Sequence, residues 1–194
     1  MPRRIGLLGG TFDPPHVGHL VVAQDALERL DLDRLIVVPA ARPPHREAVL
    51  DAETRFGLTR DAFADDSRIE VSDVELRRGG PSWTVDTVEW VHRELAPEVL
   101  YLIVGADQLR IFREWREPER ILELARLAVM TRPGEEIVDT DVPYERVDVT
   151  RVDLSSTRIR SRLDEGRSVR YLVPERVRGW IEQAWAAQGA SLGA

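Results

Sequence analysis

Two histidines spaced three residues apart carry the strongest chemical signal in the sequence. His16 and His19 close the segment Gly9-Gly10-Thr11-Phe12-Asp13-Pro14-Pro15-His16-Val17-Gly18-His19. At the start of a helix, residues three apart lie on the same face, so both imidazoles project from one side of the first turn. Paired glycines let backbone N–H groups approach a ligand, and a helix N-terminus attracts anions. The segment therefore predicts a phosphate site with imidazoles placed for chemistry.

A second helix start near the end of the chain offers similar groups. The run Ser155-Ser156-Thr157-Arg158-Ile159-Arg160 combines hydroxyls, backbone N–H groups and a guanidinium. Ser156, Thr157 and Arg160 cluster on one side of the first turn, whereas Ile159 is expected to face the core. Taken alone, the run is also compatible with an ordinary serine cap and solvated arginines. Together with the first segment, it indicates a second phosphate cradle.

Two proline-containing segments supply further candidates. Pro43-Pro44-His45-Arg46 lies in a proline-rich loop, with Arg46 as a basic residue that could serve a ligand and His45 interpreted as structural. Pro81-Ser82-Trp83-Thr84 precedes a helical pattern, so its backbone N–H groups are expected to be open donors. Arg46 by itself is equally well explained as a solvated loop residue.

Three side chains near later strands have weaker signals. Asp107, in Gly105-Ala106-Asp107-Gln108-Leu109, is interpreted as a helix cap when no other information is used. Trp115 follows a short polar run, where a tryptophan typically anchors a loop to the core. Arg132 is only a weak candidate for a phosphate contact.

An alternation of strands and helices positions these segments. Apolar runs predict strands at 5–8, 34–39, 99–104, 127–131 and 146–152, with one or two more within 69–76. Helical periodicity and capping signals predict helices after His16 and at 51–64, 84–95, 118–124, 155–163 and 174–186. The alternation favours an α/β fold with a doubly wound, mainly parallel sheet and a small C-terminal helical portion. Because ligands of such sheets lie beyond the carboxyl ends of the strands, the candidate segments can converge on one cleft.

Composition limits the possible functions. The chain has 194 residues, a net charge of −7, no cysteine, and 27 basic residues that are all arginine. The absence of cysteine and lysine excludes thiol nucleophiles, Walker-type phosphate loops and Schiff-base chemistry. The negative charge argues against general nucleic-acid or membrane binding. We expect one cytoplasmic domain over residues 1–188, with a frayed tail at 189–194.

The ordered motifs resemble the HxGH nucleotidyltransferase superfamily, and specifically the bacterial nicotinate mononucleotide adenylyltransferases. The first segment resembles the opening signature of that family, and Leu154–Arg160 resembles its closing signature, ISSTxIR. The PPHR, PSWT and GADQL segments resemble motifs of the nicotinate branch, with Trp83 where tyrosine is common. The resemblance covers about residues 5 to 183 and implies a Rossmann-like nucleotidyltransferase fold.

This resemblance implies transfer of the adenylyl group of ATP to nicotinate mononucleotide, with release of pyrophosphate, in NAD biosynthesis. It implies catalytic roles for His16, His19 and Arg160. The implied ATP contacts are Gly9, Gly10, Thr11, Phe12, His16, His19, Gly105, Ser155, Ser156, Thr157 and Arg160. The implied contacts to the mononucleotide are Arg46, Trp83, Thr84, Asp107 and Trp115. Mg²⁺ is expected to be carried mainly by the ATP phosphates, without a metal site built from protein ligands, in a monomer or small homo-oligomer.

Four alternatives remain open at this point. A phosphopantetheine adenylyltransferase shares the histidine pair, but it is usually shorter and gives PSWT and Trp115 no purpose. A class I aminoacyl-tRNA synthetase also carries such a pair, but it needs a lysine-bearing loop, which a chain without lysine cannot supply. A nucleotide-binding regulator without turnover is distinguished by measuring pyrophosphate release. A zinc site at His16 and His19 lacks a third ligand at a convincing spacing.

Overall fold

Parallel strands alternate with helices along the chain in the computed structural model, which describes residues 4–44, 47–131, 134 and 140–192. The strands are β1 (Arg4–Gly10), β2 (Arg34–Pro39), β3 (Ile69–Val71), β4 (Val99–Gly105), β5 (Arg126–Thr131) and β6 (Tyr144–Asp148). The helices are α1 (Val17–Arg29), α2 (Ala52–Ala62), α3 (Val74–Arg78), α4 (Thr84–Leu95), α5 (Ala106–Arg110), α6 (Pro118–Leu124), α7 (Ser156–Asp164) and α8 (Glu175–Leu192). A 3₁₀ turn covers Phe112–Glu114.

The six strands form one sheet in the order β3-β2-β1-β4-β5-β6, and every neighbouring pair is parallel. In the central strand, Leu7 lies opposite Ile36 of β2 and Leu102 of β4. The strand order reverses between β1 and β4, so a crevice opens beyond their carboxyl ends. The predicted doubly wound α/β fold is therefore confirmed.

Helices cover both faces of the sheet. Leu8, Leu35 and Val37 pack on one face with α1, α2, α7 and α8. The alternate residues Leu7, Ile36 and Val38 pack on the other face with helices α3 to α6. Since both faces are buried, the central strands consist of continuous apolar runs, which is the pattern that identified them in the sequence.

One segment differs from its predicted structure. The expected strands within 69–76 reduce to β3, which ends at Val71, and helix α3 follows. The N–H of Ser72 makes a last ladder bond to the Val37 carbonyl, at 2.9 Å. Beyond it, the Ser72 hydroxyl accepts a bond from the N–H of Val74, and the N–H of Arg77 donates to the Asp73 carbonyl. Local side-chain capping thus overrides the apolar pattern there.

Two other elements have bounds that differ from the predicted ones. The strand expected at 146–152 is β6, Tyr144–Asp148, because the N–H of Thr150 turns away to the carboxylate of Asp25, at 2.6 Å. The last helix continues to Leu192 rather than ending near residue 186. Residues 193 and 194 lie outside the described part, and both the single-domain boundary and the frayed tail stay predictions.

None of the described helices is long and apolar enough to cross a membrane.

Candidate active site

The paired histidines meet at the start of α1. His16 is the N-cap residue, and its backbone N–H donates a hydrogen bond to Nδ1 of His19, at 3.1 Å. The N–H of His19 in turn donates to the carbonyl oxygen of His16, at 2.9 Å. The two rings stack with centroids 3.8 Å apart and planes inclined by 25°. The three-residue spacing therefore places both imidazoles on one face, as predicted.

His16 is held as a neutral imidazole. Only 5% of the residue is exposed, and burial lowers its pKa to about 4. Its Nδ1 is enclosed and has no hydrogen-bond partner among the described residues. A Cβ at Gly18 would lie 3.0 Å from Cε1 and Nδ1 of this ring, so the intervening glycine leaves room for it.

His19 presents a defined tautomer. Because Nδ1 accepts a bond from a backbone N–H, the proton of the neutral ring is on Nε2. The ring also packs edge-on against Phe12, with centroids 4.8 Å apart, and Phe12 packs in turn against Phe63. This packing fixes the direction of the imidazole, and the arrangement is suited to donating a hydrogen bond to a phosphate oxygen.

The helix start at α7 docks directly on the histidine loop. The hydroxyl of Ser156 donates to the carbonyl of Pro14, at 2.9 Å, and Nη1 of Arg160 donates to the carbonyl of Asp13, at 2.8 Å. Nη2 of Arg160 donates to the hydroxyl of Thr157, at 3.2 Å. Ser155 caps the helix by accepting a bond from the N–H of Arg158. The two motifs, distant in the sequence, therefore form one structural unit.

A cavity of about 350 Å³ lies between these two helix starts. Seven of the predicted ATP contacts line it: Thr11, His16, His19, Ser155, Ser156, Thr157 and Arg160. Phe12 lies beneath it, 2% exposed, and supports His19. The wall also includes two carboxylates, Asp13 and Glu47, and four apolar residues, Val22, Val149, Val152 and Leu154. Its hydroxyls, imidazoles and one guanidinium are the groups that suit a polyphosphate.

A second cavity of about 560 Å³ opens beyond the carboxyl ends of β1 and β4. It is lined by four of the residues predicted to bind the mononucleotide, namely Trp83, Thr84, Asp107 and Trp115. Gly9, Gly10 and Gly105 line it too, so these predicted ATP contacts border the second cavity instead. Thr11 and Val22 line both cavities, which are therefore adjacent. Arg46 and His45, like Arg132, lie outside the described residues.

Two tryptophans flank the second cavity. Trp115 is half-buried and packs against Phe112, with ring centroids 5.3 Å apart. The guanidinium of Arg116 lies over the ring of Trp83, 5.7 Å from its centroid. Trp115 thus has a contact with the core and also borders the cavity, and its role towards a ligand stays a prediction.

The Pro81–Thr84 segment is less open than expected. The N–H of Ser82 donates to the carbonyl of Arg42, at 2.9 Å, and the Ser82 hydroxyl accepts from the N–H of Arg42. The N–H of Trp83 donates to the carbonyl of Pro81, at 3.0 Å. The expectation that all three N–H groups are open was therefore wrong for Ser82 and Trp83. The donors at this helix N-terminus begin at Thr84, the first residue of α4.

Arg55 is a buried residue of α2 that holds the loops around the site together, and none of the sequence motifs includes it. It is 1% exposed and donates to the carbonyls of Leu50, Thr11, Ala40 and Ala41 at 2.6–3.1 Å. It therefore ties the histidine loop to the segment that carries Pro43 and Pro44. A signal was present, because Arg55 lies three residues after Ala52, on the side of α2 that the apolar pattern assigned to the core.

Asp13 is a second organising residue that the sequence did not reveal. Its carboxylate accepts bonds from the N–H groups of Val49 and Leu50, at 2.7 and 3.0 Å. Its Oδ2 also lies 3.8 Å from Nη1 of Arg160. With both oxygens engaged, Asp13 joins the loop after β2 to the histidine loop and to α7.

The described residues include no group of three or more histidine, aspartate or glutamate side chains that could hold a metal ion. Within that part of the chain, His16 and His19 are thus not members of such a group. The carboxylate of Asp13 at the first cavity is already bound to backbone N–H groups.

Comparison with known proteins gives a consistent result. A cytidylyltransferase-like family model matches residues 7–162. Two relatives named probable nicotinate-nucleotide adenylyltransferase come from Thermus thermophilus (48% identity, covering 93% of this chain and 97% of the relative) and Gemmatimonas aurantiaca (45%, 92% and 89%). A solved Plasmodium falciparum nicotinic acid mononucleotide adenylyltransferase, complexed with NaAD, shares the fold. Its TM-score is 0.73 at 15% identity, with 95% of each chain covered.

Proposed function

The chain belongs to the cytidylyltransferase-like family, as a nicotinate-nucleotide adenylyltransferase, and we propose that its two adjoining cavities hold the two substrates of that reaction. The enzyme transfers the adenylyl group of ATP to nicotinate mononucleotide, which yields nicotinate adenine dinucleotide and pyrophosphate in NAD biosynthesis. The observation that carries the assignment of the cavities is their shared wall at Thr11 and Val22, which brings two ligands into contact beside the histidines.

The triphosphate of ATP is assigned to the first cavity. Arg160, Thr157 and the N-terminus of α7 supply a guanidinium, a hydroxyl and open backbone N–H groups. Such groups bind phosphate oxygens strongly, because the hydrogen bonds are charge-assisted. Arg160 and this helix start therefore hold the leaving pyrophosphate, and His19 contacts the transferring phosphate. Ser156 acts mainly by fixing α7 to Pro14.

Nicotinate mononucleotide is assigned to the second cavity. Trp115 offers a face on which the pyridine ring can stack, and Trp83 lines the same cavity. Thr84 brings the positive end of the α4 dipole and open N–H groups to the nicotinate carboxylate. Asp107 is placed to accept a bond from a ribose hydroxyl, and Arg46 is proposed as a phosphate contact.

The chemistry needs no general base. A 5′-phosphate oxygen of the mononucleotide attacks the α-phosphorus of ATP, a new P–O bond forms, and the bond to the bridging oxygen of pyrophosphate breaks. Since the attacking phosphate is already an anion, catalysis consists of positioning and of stabilising charge on the transferring group. His19 donates its Nε2 proton as a hydrogen bond, and neutral His16 supports its ring.

We propose that Mg²⁺ enters bound to ATP, where it neutralises charge on the phosphates. The lining of the first cavity is compatible with this, because it offers several hydrogen-bond donors to phosphate and only two carboxylates, Asp13 and Glu47. The Asp13 carboxylate is already bound to two backbone N–H groups. The cytoplasmic location and the monomeric or small oligomeric state stay predictions.

Pyrophosphate release with ATP and a panel of acceptors tests the function. The panel contains nicotinate mononucleotide, 4′-phosphopantetheine and cytidine monophosphate, each without and with Mg²⁺. We expect turnover with the pyridine nucleotide and formation of a dinucleotide product. Turnover only with phosphopantetheine, or ATP binding without any turnover, would contradict the assignment.

A further inference from the structure

Glu75 is a buried carboxylate in the wall of the second cavity to which the mechanism above gives no role. It lies on α3, its side chain is 8% exposed, and it lines the cavity together with Trp83, Thr84 and Trp115. One oxygen, Oε1, accepts a hydrogen bond from the hydroxyl of Thr87 on α4, at 2.7 Å. The other, Oε2, is enclosed and has no hydrogen-bond partner among the described residues.

Arg78 compensates only part of the negative charge of the Glu75 carboxylate. Arg78 approaches Oε1 to 3.8 Å, and it also donates to the hydroxyl of Thr87 and lies 4.0 Å from the carboxylate of Asp86. It is therefore shared between two acidic groups and is closest to the oxygen that already has a partner. A buried carboxylate oxygen without a hydrogen bond is unfavourable unless a ligand compensates for it.

The charges around the cavity favour a cation. Its charged lining residues, within the described part of the chain, are Glu75, Asp107 and Arg116. Arg116 already places its guanidinium over the ring of Trp83, which shows that a cation can lie on this aromatic surface. Aromatic faces and a nearby carboxylate both attract positive charge.

The pyridine ring of nicotinate mononucleotide carries such a charge. Its nitrogen bears the ribose and is permanently positive, while the carboxylate on the ring is negative. The N-terminus of α4 at Thr84 offers positive potential to the carboxylate, and Glu75 offers a negative charge in the same cavity.

We propose that Glu75 is a specificity residue that selects mononucleotides with a cationic base, an inference that rests on the function proposed above. The buried carboxylate stabilises the pyridinium charge, so it discriminates against neutral rings of the same shape. With the aromatic contacts alone, the difference in affinity between a neutral and a cationic ring would be smaller.

The reduced substrate tests this directly. The 1,4-dihydro form of nicotinate mononucleotide keeps the carboxylate, ribose and phosphate, but its ring nitrogen is uncharged. We expect the kcat/KM ratio of the oxidised over the reduced substrate to fall about tenfold in Glu75→Gln. Glutamine keeps an oxygen that can accept from Thr87, so the variant is expected to fold. Measuring both substrates on one preparation cancels the fraction of active enzyme.

Two control variants separate charge from packing. Glu75→Asp retains the charge and changes the packing, so its ratio should stay close to that of the wild type. Glu114→Gln removes one negative charge beside Trp115 but outside the cavity, and its ratio should not change. If Glu75→Gln lowers kcat/KM equally for both substrates, the proposal is overturned. The same holds if Glu75→Asp, which keeps the charge, lowers the kcat/KM ratio as much as Glu75→Gln does.

An incorrect role for Glu75 and an incorrect proposed function give different experimental results. If the wild type releases no pyrophosphate with nicotinate mononucleotide, the function is contradicted. Quenching of tryptophan fluorescence by the same two ligands then still measures the preference for the cationic ring in wild type and Glu75→Gln. An affinity ratio that is identical in the two proteins would also overturn the role of Glu75.

Discussion

The backbone N–H of His16 donates a hydrogen bond to Nδ1 of His19, at 3.1 Å, and this one contact sets the protonation of the second imidazole. A neutral ring whose Nδ1 accepts a bond carries its proton on Nε2, so Nε2 is the donor atom of this tautomer of His19. The N-cap residue of α1 therefore orients the imidazole that we propose as the contact to the transferring phosphate.

Replacement of His19 by alanine should lower turnover by about 10²–10³, the loss typical when one donor to a developing charge is removed. Stability should fall by only about 1 kcal/mol, the usual cost of a lost helix cap, because Nδ1 of His19 accepts the N–H of the N-cap residue. Steady-state kinetics and thermal unfolding measure the two effects. His92→Ala, on the exposed side of α4, is the matched control. Near-normal turnover of the His19 variant would remove His19 from the mechanism.

The burial of His16 predicts acid sensitivity. Its pKa of about 4 in the folded protein lies below the value near 6.5 in the unfolded chain. The unfolded state therefore binds more protons between these values, and the stabilisation is complete above pH 6.5 and is lost as the pH falls towards 4. From pH 7.5 to 5 this single group should lower the free energy of unfolding by about 2 kcal/mol. Denaturant unfolding of wild type and His16→Asn at both pH values measures the difference, and an identical pH dependence of the two proteins would disprove it.

Gly18 should be intolerant of a side chain. A Cβ there would lie 3.0 Å from two atoms of the His16 ring, so Gly18→Ala must displace that ring and the stacked His19. We expect a loss of stability of roughly 1–3 kcal/mol, the range for overpacking, together with reduced kcat. Gly179→Ala on α8 is the control, because nothing lies within 4 Å of its added Cβ. Denaturant unfolding and steady-state kinetics measure both variants. Equal stability and equal kcat in Gly18→Ala and Gly179→Ala would contradict the prediction.

The ring of Trp115 is expected to act on one substrate only. Aromatic stacking contributes roughly 1–3 kcal/mol per base in nucleic-acid complexes, so Trp115→Ala should raise KM for nicotinate mononucleotide and leave KM for ATP nearly unchanged. Trp180→Ala removes a tryptophan that packs on Gly57, away from both cavities, and should lower Tm without this selectivity. Equal effects of Trp115→Ala on both substrates would identify it as a core anchor alone.

Much of the architecture follows from local sequence patterns. The boundaries of β2, α4 and α6 match their predicted ranges, since apolar runs and helical periodicity reflect burial directly. The segment from Val71 to Leu76 could not be assigned this way, because the bond from the N–H of Val74 to the Ser72 hydroxyl favours a helix over a strand there.

The site was predictable in its parts but not in its connections. The histidine pair and the α7 N-terminus are visible as motifs, and their convergence follows from the parallel sheet. The bonds that join them are between side chains and backbone carbonyls, such as Arg160 to Asp13 and Ser156 to Pro14. Backbone acceptors leave no residue-type signature, so neither these bonds nor the role of Arg55 could be predicted from residue types.

The choice between an acid and an amide on the pyridine ring tests the central claim most directly. The backbone N–H groups at the N-terminus of α4, from Thr84 onward, are expected to donate to both oxygens of a carboxylate. A carboxamide would turn an NH₂ towards one of these donors and leave it unpaired, a loss of about 1–3 kcal/mol. The measurement is kcat/KM for pyrophosphate release with nicotinate mononucleotide and nicotinamide mononucleotide at saturating ATP. We predict a preference for the acid of at least about tenfold. Equal efficiencies, or a preference for the amide, would contradict both the role of Thr84 and the assignment of nicotinate mononucleotide as the substrate.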